Sequence, residues 1–408
     1  MKTNEELPTG AISRRNFLTS LAIGGFAAGT NTSIASTADA PGGTSVPMLH
    51  STDLYRPHDD PDDHWDLACV FALAHAGKVN LQVMIDYPQL TNNPDFNAAN
   101  PDVMGVAQMN YLTSQAVPTT IGLQHPMRSR HDTMPKATLL EDSGVRALLR
   151  LLRKSPRPVV INVVGSCLSV AVAGMREPGL FSEKCAAIYL NAGTGSPDRT
   201  KAAVFEWNVS LMPSAYAAMF DLHCPVYWMP CFEEMPRPNH PEDLIGKAYG
   251  THYSFLQSEI LPHLSLGMKN YFAWMYKTGG IHWKSQKLPD PGLPGCDWLR
   301  YLLSPNDETL LARESALFRS CWCTAGFFHA TGQTVTREGR IIPLTDGGAD
   351  AVFTFEPVQV QCSDSGVTEW TKDPSSRDRF IFRVLDPERY PAAMTVAMRS
   401  LLQTIADA

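Results

Sequence analysis

The sequence predicts an α/β fold: a doubly wound, mostly parallel sheet with helices on both faces and a small irregular C-terminal extension. Three observations carry this reading. Short apolar runs alternate with helix-spaced segments through the first part of the chain. The strongest run, Pro158-Val-Val-Ile-Asn-Val-Val-Gly165, is β-branched on both faces, as expected where helices cover both sides of a parallel sheet. An acidic knot follows the first apolar run, at the strand-to-helix position where open α/β sheets bind their ligands.

The elements follow in order. Val46, Met48 and Leu49 mark a first strand, and Leu67-Ala-Cys-Val-Phe-Ala-Leu73 a first helix. Leu81–Asp86 reads as a buried strand bounded by Pro88. Val103–Ser114 carries helical spacing, and Thr119–Gly122 is a strand after Pro118. Glu141–Lys154 is a helix with Val145, Leu148, Leu149, Leu151 and Leu152 on its apolar side. Beyond Gly165, a helix opens near Ser169, Cys185–Asn191 is a strand, Pro213–Leu222 a helix and Pro225–Pro230 a strand. Periodicity weakens from Phe232 to Ser304, which reads as irregular helices and loops over the sheet. Glu308–Phe318 returns to helix. Short extended pieces follow Val335, among them Val352–Phe355 and Arg379–Arg383, and a last helix spans Pro391–Ile405.

Hydrophobic content of 44% and charged content of 18% describe a globular chain with ample core. A net charge of −7 without a dense Lys/Arg run argues against nucleic acid as a partner. Residues 1–40 are expected to be a twin-arginine signal peptide and linker. Ser13-Arg-Arg-Asn-Phe-Leu18 carries the arginine pair, and the apolar run Leu18–Ala28 is too short for a comfortable membrane span. Residues 45–408 are then the mature domain, periplasmic or secreted, with no stable membrane span once the signal is cleaved and homo-oligomerisation open. The nine cysteines show no Cys-x-x-Cys pair, so at most one or two disulfides are expected.

The acidic knot runs from Asp53 to Asp66 and packs six carboxylates and two imidazoles into fourteen residues. Such crowding is relieved most simply by a bound cation. Oxygen donors favour Ca²⁺ or Mg²⁺, while His58 and His64 leave Zn²⁺ or Fe²⁺ open. The plain alternative is a solvated acidic loop at a helix N-terminus, where Asp is favourable.

Three segments together resemble the inosine–uridine nucleoside hydrolase superfamily, in register from about Leu49 to Glu233. Thr52-Asp53 and Asp62-Asp63 are similar to the two halves of the family's opening Asp-x-Asp-x-x-x-Asp-Asp signature, with Leu54–Asp59 inserted. Val163-Val-Gly-Ser-Cys-Leu-Ser-Val-Ala-Val-Ala173 looks like its Gly-Pro-Leu-Thr-Asn-Leu-Ala turn. Glu206-Trp-Asn208 resembles its Glu-Phe-Asn segment, and Met212-Pro-Ser-Ala-Tyr the helix start that follows. The family's C-terminal His-Asp-Pro motif has no counterpart. Ser320-Cys-Trp-Cys-Thr-Ala325 stands there without a carboxylate or imidazole, with His329 downstream and Asp346 and Asp350 in a Gly-rich turn.

What the resemblance implies is a Ca²⁺-dependent hydrolase of N-ribosyl bonds, with Mg²⁺ or another divalent metal as alternatives and a nucleoside or sugar as substrate. In that register Asp53 is the catalytic base and a metal ligand. Asp62, Asp63 and the carbonyl of Leu168 complete the metal set, and Asp59, Asp60 and Asp66 are reserves. Glu206 and Asn208 hold sugar hydroxyls. The altered Cys-Trp-Cys segment keeps two alternatives open: a catalytically weak or inactive nucleoside- or sugar-binding protein, and a hydrolase of another furanoside or saccharide.

Overall fold

A computed structural model describes residues 45–56, 62–87, 100–237, 240–279 and 297–406. The signal-like segment, His58, Asp59, Asp60 and Cys296 lie outside the described residues. A nine-stranded sheet organises the remainder. Its strands are β1 (Val46–Thr52), β2 (Val79–Ile85), β3 (Thr119–Ile121), β4 (Val159–Val163), β5 (Cys185–Asn191), β6 (Val226–Met229), β7 (Phe353–Cys362), β8 (Thr368–Lys372) and β9 (Arg379–Val384). Across the sheet they lie in the order β8-β7-β9-β6-β5-β4-β1-β2-β3. Every neighbouring pair from β9 to β3 is parallel, and β7 and β8 add antiparallel pairings at one edge.

The alternation of side chains along each strand feeds two cores. On β1, Met48 faces one core and Leu49 the other, and Val160 and Ile161 divide likewise on β4. Both faces are covered by helices, so the central strands are buried on both sides, and the β-branched run of β4 is entirely buried. Helix α1 (Asp62–His75) buries Trp65 to Leu73 on the first face and stacks Trp65 on Phe272 at 4.0 Å. Helix α2 (Val103–Thr113) is capped by Asp102, whose carboxylate accepts from the amides of Met104 and Gly105.

Most of the expected elements are present, several with shifted ends. The stretch after Phe232 holds more regular structure than its weak periodicity suggests. Tyr253–Leu256 pairs antiparallel with Phe318–Cys321, and Leu266–Gly279 is a continuous helix. The helix read over Glu308–Phe318 ends at Ser315, because Phe318 begins that small strand. The C-terminal part is built into the main sheet: β9 pairs parallel with β6 and anchors β7, and the final helix, Tyr390–Leu402, buries Met394, Met398 and Leu402 in the first core. Among the described residues the eight cysteines are free and buried.

Sheet order fixes where a ligand can sit. The chain runs outward from β1 through β2 to β3, then returns to place β4 on the other side of β1. The loops after β1 and β4 therefore diverge and open a crevice at their carboxyl ends.

Candidate active site

Asp53 is the first residue beyond β1 and lies in that crevice. Its Oδ2 accepts a hydrogen bond from Nε1 of Trp207 at 2.8 Å. Its Oδ1 rests against Gly165, the residue reached just after β4, where an added Cβ would come within 2.2 Å of it. Glycine is needed at 165 because the carboxylate occupies the space of a side chain. Asp63, in the first turn of α1, hydrogen-bonds with Asp53 and receives the hydroxyl of Thr52 on Oδ1 at 2.7 Å. Helix α1 thus returns its N-terminus, where negative charge is favourable, to the end of the strand that precedes it.

A cavity of about 430 Å³ opens on this pair. Asp53, Asp62 and Asp63 line one side, with Glu206, Trp207 and Asn208 beside them and Cys231, Phe232, Met235 and Trp322 completing the wall. Tyr55, from the strip just past β1, also contributes and stacks on Tyr87 at 4.8 Å. No Lys, Arg or His occurs among the described lining residues. Buried and close together, the carboxyls respond. Burial raises Asp53 to about 6, and Glu206 adds to the rise, while the Trp207 and Asp63 hydrogen bonds oppose it. Burial and the neighbouring Asp53 and Asp62 charges push Asp63 well above the usual carboxylate range.

Glu206 has a structural duty as well as a place in the cavity. It is the N-cap of the short helix Trp207–Leu211. One oxygen accepts from the amides of Gly193 and Val209 and the other from the amide of Asn208, all at 2.8 Å. Asn208 donates from Nδ2 to the carbonyls of Val164 and Asn191, at 3.2 and 2.9 Å. With both amide hydrogens engaged, its Oδ1 is the atom left to accept from a ligand hydroxyl.

Leu168, the implied carbonyl ligand, begins the helix Leu168–Arg176, and its side chain lies in the second core. It does not line the cavity; from that segment Val164 does. Asp66 also turns away, toward the thiol of Cys323, and burial raises it to about 7. His64 approaches Asp102 at 3.4 Å rather than the cavity carboxylates. His329 bonds the hydroxyl of Tyr189 at 2.8 Å, and Asp346 and Asp350 lie in 3₁₀ turns, so none of these takes the place of the absent C-terminal carboxylate.

Asp86, Asn191 and Cys231 were not singled out by the sequence, though each follows or ends a strand of the parallel sheet at its carboxyl end. Applying the switch-point rule to every strand would have found them. Asp86 accepts from the amide and hydroxyl of Ser169 at 2.7 and 2.9 Å, and burial lifts it to about 7. Oδ1 of Asn191 takes the thiols of Cys323 at 3.1 Å and Cys231 at 3.7 Å. Those thiols also reach Asp66 and Glu206, respectively. The Cys-Trp-Cys segment thus supplies one sulfur donor, Cys323, to Asn191 and an indole, Trp322, to the cavity wall.

A hard divalent cation fits the donor chemistry: Asp53, Asp62 and Asp63 offer oxygen atoms on one wall. Among the described residues, however, no three His, Cys, Asp or Glu side chains already converge as a finished metal cage. The fit is one of chemistry and location.

No family model and no curated protein sequence matches the chain. Among solved structures, the chain is similar to the purine-preferring ribonucleoside hydrolase from Gardnerella vaginalis. Identity is 13%, over 88% of this chain and 99% of that one, with a TM-score of 0.46. It is also similar to the inosine-uridine preferring nucleoside hydrolase from Bacillus anthracis, at 10% identity over 87% and 99% of the chains and a TM-score of 0.38. A third likeness is to the type III effector protein XopQ complexed with adenosine diphosphate ribose, at 12% identity over 88% and 95% and a TM-score of 0.42. Likenesses at this level assign neither activity nor ligand.

Proposed function

We propose that the cavity hydrolyses the N-glycosidic bond of a ribonucleoside, with a divalent cation, Ca²⁺ foremost, held by Asp53, Asp62 and Asp63. The observation that carries this is the meeting of the Asp53–Asp63 pair with Glu206 and Asn208 around one cavity at the sheet's switch point. A cation bound there would supply Lewis acidity and lower the pKa of a coordinated water. Asp53 is held by Trp207 in one orientation and takes the proton of the attacking water. Asn208 receives a sugar hydroxyl, and the buried charge of Glu206 stabilises the positive character that develops on the ribosyl ring. Export by the twin-arginine route is part of the same reading and rests on the Arg14-Arg15 pair with the apolar run Leu18–Ala28 after it.

Incubation of the purified protein with a nucleoside panel and Ca²⁺ tests it through release of free base and reducing sugar. No release from any nucleoside would sink it. One observation favours a second reading, a binding protein of the same architecture. Both oxygens of Glu206 are already committed to three backbone amides, which leaves less of that side chain for a substrate. A nucleoside that binds without being cleaved would select this reading.

A further inference from the structure

The wall of the cavity carries information about the leaving group, and the inference here rests on the reading of the cavity as an N-ribosyl hydrolase. Phe232 and Trp322 meet edge to face at 5.9 Å, and Met235 lines the same wall. Nε1 of Trp322 is buried and has no hydrogen-bond partner. A buried N–H in a cavity wall is costly to leave unpaired and asks for an acceptor from whatever fills the space. The described polar side chains of the cavity are carboxylates, the amides of Asn191 and Asn208, the Cys231 thiol, the Tyr55 hydroxyl and the Trp207 indole, and the His252 imidazole packs against both rings from behind. An aromatic face recognises a cationic, planar group through the ring quadrupole, and Glu206, the cavity carboxylate not assigned to the divalent cation, adds negative charge.

Proton supply points the same way. Among the described residues, the imidazole against this wall is His252, which stacks behind Phe232 at 5.6 Å and engages Ser320 at 3.1 Å; burial lowers it to about 4, so it is neutral near pH 7. Trp322 can donate a hydrogen bond but cannot transfer its proton.

We infer that the preferred substrates are cationic N-ribosides, in which the ribosyl carbon is bonded to a positively charged heteroaromatic ring: N-ribosylpyridinium compounds with a carbonyl substituent, and purine nucleosides alkylated at N7. The reaction balances without a proton donor to the base. Water's oxygen bonds to the ribosyl carbon as the carbon–nitrogen electron pair returns to the ring. The ring leaves as a neutral base, and water's proton passes to Asp53. Nε1 of Trp322 meets the carbonyl oxygen of the ring, and Phe232 holds its cationic face.

The matched pair 7-methylguanosine and guanosine isolates the charge, with N-ribosylnicotinamide as a second cationic probe. Both cationic compounds should bind about tenfold more tightly than guanosine by calorimetry and show the higher kcat/KM. Because the cationic bond is intrinsically weaker, the deciding variants are Trp322→Leu and Phe232→Leu. Each should weaken 7-methylguanosine several-fold more than guanosine. Equal affinities for the matched pair in wild type, or equal losses in the variants, overturn the inference. Hydrolysis of guanosine with no cationic preference would leave the N-ribosyl reading standing. If no nucleoside is cleaved, that reading falls, and the calorimetric comparison still decides for or against cation recognition.

Discussion

Nε1 of Trp207 donates to Oδ2 of Asp53 across 2.8 Å, joining the helix that carries Glu206 and Asn208 to the carboxylate at the end of β1. A phenyl ring at 207 would lack the donor. Trp207→Phe should therefore loosen Asp53 and weaken Ca²⁺ binding by about tenfold, the range expected for a hydrogen bond to a charged group. Titration calorimetry of both proteins checks this, and an unchanged affinity would remove Trp207 from the site.

Two carboxylates of α1, Asp63 and Asp66, should separate cleanly. Asp63 lines it and bonds with Asp53, whereas Asp66 faces Cys323. Asp63→Asn should reduce Ca²⁺ affinity far more than Asp66→Asn. Equal losses in calorimetry would mean that the cation sits deeper, between Asp66 and the sheet.

Glu206→Gln tests a residue with two duties. An amide in place of the carboxylate turns an N–H₂ toward backbone N–H groups, so the cap is weakened and the melting temperature should fall, by an amount equivalent to about 1 kcal/mol. If Glu206 also stabilises charge on the sugar, kcat should drop by roughly one to two orders of magnitude beyond any change in KM. A lower melting temperature with unaltered kcat would reduce Glu206 to a helix cap.

Buried carboxyls should make the metal-free protein less stable as pH rises. Asp86 has a folded pKa of about 7 against an ordinary 3.8, so the folded state binds more protons between those values. Its contribution is fully present below about 3.8 and is lost as pH climbs through about 7. In EDTA, Asp86→Asn should melt higher than wild type at pH 8, and by a clearly smaller margin at pH 5. Thermal melts at the two pH values decide, and a constant difference would rule Asp86 out as the titrating group.

Adding Ca²⁺ should raise the melting temperature, because a ligand that binds only the folded chain stabilises it by mass action, by about 2.7 kcal/mol at one hundred times Kd. The rise should be largest above pH 7, where the carboxyls are ionised, and absent in Asp63→Asn. Scanning calorimetry with and without EDTA measures it directly.

The parallel core was legible because its strands obey local rules: Val159–Val163 and Cys185–Asn191 are short, apolar and buried on both faces. The position of Asp53 was legible because one loop between a strand and a helix holds so many carboxylates. Other features depend on distant partners. Nothing near residue 206 in the sequence shows that Gly193 will offer its amide to that carboxylate, or that Asn191 will gather thiols from positions 231 and 323. Likewise, β7 and β9 look like an appendage until β6 is seen to lack a neighbour on its outer side.

Gly165 shows how a site can be protected by volume alone. The carboxylate of Asp53 fills the place where a side chain would begin, so a single methyl group introduced there acts as a wedge. Every charge and every donor would survive in Gly165→Ala, yet Asp53 would be displaced from both Trp207 and Asp63. The most damaging change to this acidic centre is then one that touches no acid at all.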